Sequence, residues 1–207
     1  MQSIRTIRTL RPQVSREEAI AALGRGFTRF LRGSLQRVAA VYLPFRFFEV
    51  DVLNGGRRST TCYATDAVTG TLDLFEFKTF PADHETTQVS SANYVPSSIE
   101  EAKALELIEA KVERAVFRAG FFRVRDLQVC AFRLPVDIHV PYWLGFFGGR
   151  ENASLEVMDA VRRQIEGAKA RALFEDWLLG QLSSGRERYG AASSWCVQKP
   201  RAVPTPR

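Results

Sequence analysis

VYLPFR (residues 41–46) is matched later in the chain by IHVPYW (residues 138–143), which has a proline and then an aromatic residue at the same places. Some twenty residues after each segment, Asp66-Ala67-Val68 is matched in the same way by Asp159-Ala160-Val161. Because the two pairs follow one another in the same order, they favour an internal repeat of one supersecondary unit.

A capping box opens both regions of the repeat. In this S-x-x-E motif the serine hydroxyl and the glutamate carboxylate each accept a hydrogen bond from a free backbone N–H group at a helix start. The motif occurs at residues 15–18 and again at 98–101. One helix with a few strands would leave an apolar sheet face exposed, so two copies packed together would bury more apolar surface.

The first copy is predicted to contain one helix followed by three strands. Apolar residues recur every three or four positions from residue 20 to residue 38, as on the buried face of a helix. From Val41 the period changes to two, which is typical of a half-buried strand. The Asn-Gly-Gly run at 54–56 suits a tight hairpin turn. The predicted elements are a helix over 15–38, strands over 41–52, 59–64 and 72–77, and a turn at 66–70.

The second copy repeats this order with a clearer helix. Its apolar face runs from Ile99 to Ala119, and Gly120 is placed to end it. Pro135 is expected to separate two strands, because proline cannot donate a hydrogen bond in a central ladder. The predicted elements are a helix over 98–119, strands over 122–134, 138–147 and 154–158, and a final helix over 167–182.

These elements predict an α+β fold of two tandem modules, each a helix plus an antiparallel hairpin, packed against each other. The expected boundaries are an N-terminal arm at 1–14, the first module at 15–80, a connecting loop at 81–97, the second module with the C-terminal helix at 98–182, and a disordered tail at 183–207. The tail is assigned from its Gly, Ser, Arg and Pro content.

Part of the first copy resembles the PepSY family of small repeat domains. The residues that carry the resemblance are the Ser-x-Glu-Glu-Ala helix start at 15–19 and the segment YATDAVTGTL at 63–72, within a match that mainly covers 15–77. In the second copy Arg162 and Arg163 replace the Thr and Gly of the turn. The resemblance implies a binding or inhibitory module rather than an enzyme, usually found outside the cytoplasm.

Composition and charge limit the classes of protein to which the chain can belong. The 207 residues are 45% hydrophobic, which is enough for a sizeable core. The net charge is +6, with 24 arginines against 5 lysines, but the arginines are spread along the chain rather than gathered in one patch, which disfavours nucleic-acid binding. Residues 1–12 lack the apolar stretch of a secretory signal, and no apolar run is long enough to span a bilayer. These features predict a cytoplasmic protein without a membrane span.

No set of residues with catalytic spacing is visible. His84 and His139 are the only two histidines, and the first is expected in an exposed loop and the second at a hydrogen-bonded strand position. The three cysteines, Cys62, Cys130 and Cys196, are too far apart for a ligand pair and odd in number for a closed disulfide set. The sequence therefore predicts no catalytic residue, no metal site and no cofactor.

The proline-centred aromatic segments are the candidate binding surface. Arg46, Tyr142 and Trp143 are selected because arginine, tyrosine and tryptophan are enriched at interface hot spots and carry polar atoms that need partners if buried. The leading hypothesis is a non-enzymatic binding or protein-interaction module of unknown ligand. The alternatives are a small-molecule pocket protein or enzyme of unknown class, and a nucleic-acid-binding protein. The oligomeric state is not predicted.

Overall fold

The computed structural model describes residues 3–25, 33–120, 124–148 and 153–192, with side chains as far as residue 181. The described residues form three α-helices and a sheet of eight strands, so the fold is α+β as predicted but richer in strands. The elements are β1 (Arg5–Leu10), α1 (Arg16–Gly24), β2 (Leu35–Asn54), β3 (Arg57–Asp66), β4 (Phe75–Phe77), β5 (Thr86–Ser91), α2 (Glu101–Gly120), β6 (Gln128–Phe147), β7 (Ser154–Asp159), β8 (Gln164–Ile165) and α3 (Ala168–Ala192). None of the described helices is both long and apolar enough to cross a membrane.

The two longest strands, β2 and β6, form the centre of the sheet. The strand order is β4-β3-β2-β6-β1-β5, with β7 also paired to β6 and β8 paired to β7. β2 and β6 run antiparallel, and Leu43 lies directly opposite Val140 near the middle of the pairing. The first half of each long strand is therefore paired with the second half of the other.

Two prolines occupy these central strands without breaking the ladder between them. The Pro44 carbonyl accepts a hydrogen bond from the Ala67 N–H at 2.8 Å, and the Pro141 carbonyl accepts one from the Ala160 N–H at 3.1 Å. Both donors lie on the outer side of the β2–β6 pair. Because the nitrogen and the carbonyl of one strand residue point to the same side, neither proline removes a hydrogen bond from the β2–β6 ladder.

Pro135 does not divide β6, so the prediction of two separate strands at 122–134 and 138–147 is wrong. The pairing shifts register here: Arg46 lies opposite Asp137, but Phe48 lies opposite Arg133. The extra residues of β6 form a bulge. Pro135 is tolerated because it sits in this bulge, where the regular ladder is already interrupted.

The predicted helix over 15–38 is too long. α1 ends at Gly24, residues 26–32 lie outside the described part of the chain, and residues 35–38 belong to β2. Val38 lies opposite Gly145 of β6, so pairing with a distant strand overrides the local helical spacing. The helix start itself is confirmed, because Ser15 Oγ accepts from the Glu18 N–H at 3.2 Å and Glu18 Oε2 accepts from the Ser15 N–H at 2.8 Å.

The predicted capping role of Ser98 is wrong, and the expected end of α2 at Gly120 stays a prediction because residues 121–123 lie outside the described part of the chain. α2 begins at Glu101, and the Ser98 hydroxyl donates instead to the Val68 carbonyl at 2.9 Å. The Ser98 N–H also donates to the Ala67 carbonyl at 2.9 Å. Ser98 therefore ties the start of α2 to the turn that follows β3.

Two segments expected to lack regular structure contain strands. β1 lies in the predicted arm at 1–14, and β5 lies in the predicted loop at 81–97. They pair antiparallel from Arg5 opposite Ser91 to Leu10 opposite Thr86. At the other end, α3 continues past residue 182 to Ala192, so the first part of the expected disordered tail is helical, and residues 193–207 lie outside the described residues.

The core lies on both faces of the sheet, because neighbouring residues in a strand point to opposite faces. Phe47 belongs to the large cluster that Phe174 of α3 completes, whereas Phe48 packs with Ile108 of α2. Leu23 of α1 packs on the same face as α2, against the ends of β2, β6 and β7. The helices α1 and α2 thus cover one face and α3 covers the other.

Candidate functional site

The predicted site residues Tyr142 and Trp143 point in opposite directions. Tyr142 is only 1% exposed, and the centre of its ring lies 5.3 Å from that of Phe174 in the core under α3. Trp143 packs on the other face beside α1, where its Nε1–H donates to the Val14 carbonyl at 3.0 Å. The structure therefore does not bring these two side chains into one cleft.

Arg46 also stands apart from the other two residues. It lies on β2 opposite Asp137, on the same face as Phe48. Its side chain is half-buried, and the buried Nε and Nη1 atoms have no hydrogen-bond partner among the described residues. Arg46 is therefore a residue with unpaired donor atoms that shares a face of the sheet with Trp143 but not with Tyr142, and Trp143 packs in a different hydrophobic cluster from the one next to Arg46.

A polar cleft of about 480 Å³ lies where the two central strands meet the start of the chain. One wall is formed by residues 5–8 of β1 and another by residues 94–97. Pro44 of β2 and His139 of β6, which lie directly opposite each other, also line it. The cleft is therefore built from both long strands and from segments distant in the sequence.

His139 presents a fixed hydrogen-bonding pattern to the cleft. Its Nδ1 lies 3.3 Å from the Arg8 carbonyl oxygen. A carbonyl only accepts, so Nδ1 carries the proton and Nε2 is left as an acceptor. Burial lowers the pKa of His139, and the nearby Arg5 lowers it further against the opposing effect of the Arg8 hydrogen bond. The imidazole is accordingly neutral near pH 7.

The charged lining of the cleft includes one uncompensated cation. Arg8 donates to Asp83 Oδ1 at 2.9 Å and to the Thr86 hydroxyl at 3.2 Å. Asp137 lies 3.5 Å from a guanidinium nitrogen of Arg133. Arg5 is exposed, and no carboxylate pairs with it within the described chain. The cleft thus combines an unpaired guanidinium with a neutral imidazole acceptor.

Of the residues of this cleft, the sequence singled out Pro44, as part of the proline-centred segment, and His139, which was assigned a structural role. The cleft depends on β1, which contributes Arg5, and on the bridge between Tyr94 and Tyr42. Neither segment shows a clear two-residue alternation of apolar side chains. The spacing of the charges becomes informative only when both strand pairings are known.

Within the described ranges, no group of three or more His, Cys, Asp or Glu side chains lies close enough to hold a metal ion. His84 is exposed in a 3₁₀ turn, Asp83–Glu85. The described thiols belong to Cys62, which is buried, and Cys130, which is exposed.

We expect native alkylation to distinguish these two thiols. Burial, with a further contribution from Glu49, raises the pKa of Cys62 to about 11, so its reactive thiolate is scarce at neutral pH. Iodoacetamide should modify Cys130 at least about tenfold faster than Cys62, as measured by peptide mass spectrometry. Both should react at similar rates in denaturant. Equal rates in the native protein would contradict the burial of Cys62.

No protein-family model, no curated protein and no solved structure matches this chain. The resemblance of residues 15–77 to PepSY domains therefore stays a prediction.

Proposed function

We propose that this protein is a non-enzymatic binding module, built from two copies of one unit, that holds a small polar ligand in the cleft where the copies meet. The observation that carries the proposal is the unpaired guanidinium of Arg5 beside the neutral imidazole of His139 in a cleft of about 480 Å³. Cavities of roughly 300 to 1,000 Å³ with a few converging polar groups are typical ligand sites.

The hydrogen bonds around the two prolines support the two-copy proposal. The Pro44 carbonyl accepts a hydrogen bond from the Ala67 N–H, and the Pro141 carbonyl accepts one from the Ala160 N–H in the same way. The aspartates that precede these alanines are both fully buried and accept backbone N–H groups from the following turn. Leu43 and Val140, which occupy the same place in the two segments, lie opposite each other. These relations are the ones expected if the two units are related by an approximate twofold axis, and they support the proposal.

The packing of the helices supports the same proposal. α1 of the first copy packs beside Met158 and Ala160, which belong to the second copy. α2 of the second copy packs against Phe48, Val50 and Tyr63 of the first. Each helix therefore covers strands of the other copy as well as its own, so the halves shelter each other's apolar surfaces.

The cleft favours a ligand with an anionic group next to a hydrogen-bond donor. The planar guanidinium of Arg5 suits a carboxylate or phosphate. His139 Nε2 accepts, and therefore suits an N–H or O–H group of the same ligand. Small hydroxycarboxylic and amino acids carry this combination and are small enough for the cleft.

The test is a thermal-shift and calorimetric screen with lactate, malate, serine and aspartate. A ligand that binds only the folded state raises the unfolding temperature. We expect at least one of these compounds to bind, and Arg5→Ala to weaken that binding by about tenfold or more, since a charge-assisted hydrogen bond is worth roughly 1.5–3 kcal/mol. Arg57→Ala serves as the matched control, because Arg57 is an exposed arginine at the first position of β3 and does not line the cleft.

Two outcomes would count against this assignment. If none of the probes binds, or if Arg5→Ala and Arg57→Ala change the affinity for the ligand equally, the cleft is not the ligand site. If a screened substrate shows saturable turnover that one point mutation abolishes, the protein is an enzyme rather than a binding module.

A further inference from the structure

A second hollow, of about 320 Å³, lies between α2, the loop at 71–74 and the first turn of α3. It shares no residue with the cleft described above. Three of its cations are spaced three and four residues apart on α2, which places them on one helix face. Asp73 is the one carboxylate among its lining residues. The cations are Lys111, Arg114, Arg118 and Lys169.

The hydrogen bonds of half-buried Lys111 and exposed Arg114 are made to neutral groups. Lys111 Nζ donates to the Thr65 hydroxyl at 3.2 Å and also to the Leu72 carbonyl. Arg114 Nε donates to the Ala110 carbonyl at 2.9 Å, and its terminal nitrogens have no partner among the described residues. These contacts are made to neutral groups, and neither side chain forms an ion pair within the described residues.

The other two cations are more loosely held. Lys169 Nζ lies 3.5 Å from the Thr71 carbonyl, at the limit of a hydrogen bond. Arg118 has neither a hydrogen bond nor an ion pair within the described part of the chain. Elsewhere on the surface, by contrast, Lys103 pairs with Glu106 at 2.8 Å. The hollow therefore gathers four cations around a single lining carboxylate, Asp73.

The surroundings of Lys111 disfavour its charged form. Burial lowers its pKa most strongly, the carboxylates of Asp66 and Asp73 oppose this, and the cations Lys169 and Arg114 add a smaller lowering of the pKa. Because opposite charges attract more strongly where water is partly excluded, an anion in the hollow would favour the charged form of Lys111.

We propose that this hollow binds the phosphate group of a small phosphorylated molecule. A phosphate monoester carries a charge of about −1.5 to −2 at pH 7 and three acceptor oxygens, so it matches several convergent donors better than a single carboxylate does. The guanidinium groups of Arg114 and Arg118 suit two of its oxygens, and Lys111 provides a fixed point charge at the inner side.

A small molecule fits the hollow better than a nucleic-acid strand. Nucleic-acid sites track the backbone with a basic groove or stripe and commonly add aromatic platforms for the bases. Here the four cations surround one concave space, and its lining contains no aromatic side chain. The volume of about 320 Å³ suits one phosphate group with a small organic body.

The experiment is isothermal titration of the full-length protein with inorganic pyrophosphate and with inorganic phosphate, at constant ionic strength set by sodium chloride. We expect pyrophosphate to bind with a dissociation constant of about 1 mM or below. The double variant Arg118→Gln, Lys169→Gln should weaken binding by about tenfold or more. The matched control, Arg16→Gln, Arg57→Gln, removes the same net charge from exposed positions elsewhere and should bind as the unchanged protein does.

Lys111 is kept in these variants because its contacts with Thr65 and Leu72 also hold the fold, and unfolding temperatures verify that both double variants remain folded. Absence of pyrophosphate binding overturns the proposal, as does equal weakening in the two double variants. Loss of pyrophosphate binding in Arg5→Ala would place the anion in the other cleft and would also overturn it. Tight, salt-sensitive binding of a single-stranded oligonucleotide without phosphate binding would identify a nucleic-acid site instead.

Discussion

Replacing Asp66 with alanine is expected to lower the free energy of unfolding by about 3–5 kcal/mol, because each buried group left without its partner costs roughly 1–3 kcal/mol. The Asp66 side chain is fully buried at the end of β3. Its Oδ1 accepts from the N–H groups of Thr69 and Gly70 at 2.7 and 2.9 Å, and its Oδ2 accepts from the Leu72 N–H at 2.9 Å. Alanine leaves these donors unpaired, and water reaches them poorly.

Urea denaturation followed by circular dichroism measures this loss. The free energy of unfolding of Asp66→Asn should lie between those of the unchanged protein and of Asp66→Ala. The amide oxygen of asparagine still accepts a hydrogen bond at one position, but its amide nitrogen faces a backbone N–H at the other. Asp83→Ala is the matched control, because Asp83 is fully exposed and pairs only with Arg8 at the surface. A loss in Asp66→Ala no larger than that in Asp83→Ala would show that the turn is not held in this way.

Phe174→Ala is expected to have an effect of similar size, about 3–5 kcal/mol, which is typical for truncating a buried phenylalanine. Phe174 is fully buried and packs on the Tyr142 ring, so it is the main apolar anchor of α3 on the sheet. The lost contact also leaves a cavity beneath the helix. α3 should therefore separate from the sheet more often than in the unchanged protein.

Two measurements separate these effects. Chemical denaturation gives the global loss, and limited proteolysis reports local detachment, which should raise the rate of cleavage within α3. Leu179→Ala is the control on the same helix, because Leu179 is 61% exposed and contributes little burial. Unchanged proteolysis in Phe174→Ala, with a stability close to that of Leu179→Ala, would mean that α3 is held by other contacts.

The features that the sequence predicted correctly depend on neighbouring residues. The capping box at Ser15 needs only Glu18, and the hairpin after Asn54 needs only the positive φ angles that Gly55 and Gly56 adopt. The turn at 66–70 is likewise built around the Asp66 carboxylate and the next few N–H groups. Each of these motifs carries its hydrogen-bonding partners within a few positions.

The features that the sequence missed depend on partners far along the chain. β1 pairs with β5 and with β6, both distant in the sequence, and the polar sequence of β5 shows no apolar alternation. Residues 35–38 are strand because β6 lies beside them. Pro135 predicted a break in the strand. The bulge that accommodates it forms only through the pairing of β2 with β6, which the local sequence does not show.

The candidate site was missed for the same reason. Arg46, Tyr142 and Trp143 were chosen by residue type. Consecutive residues of a strand point to opposite faces of the sheet, so Tyr142 and Trp143 could not line the same cleft. Arg5 and His139 meet through two distant pairings, and Lys169 joins the three cations of α2 only because the loop at 71–74 lies between α2 and the start of α3. Charges converge through tertiary structure, which spacing along one element does not report.

The pairing of β2 with β6 also determines when the protein completes its fold during synthesis. Leu35 pairs with Phe147, and Leu53 pairs with Gln128. The edge of β2 that faces β6 therefore has no partner until the second long strand has left the ribosome. The β2–β3 hairpin closes early, but the nascent chain exposes an apolar edge throughout the translation of the intervening residues. Such an edge is open to aggregation, and a chaperone that binds nascent chains would have its greatest effect during that interval.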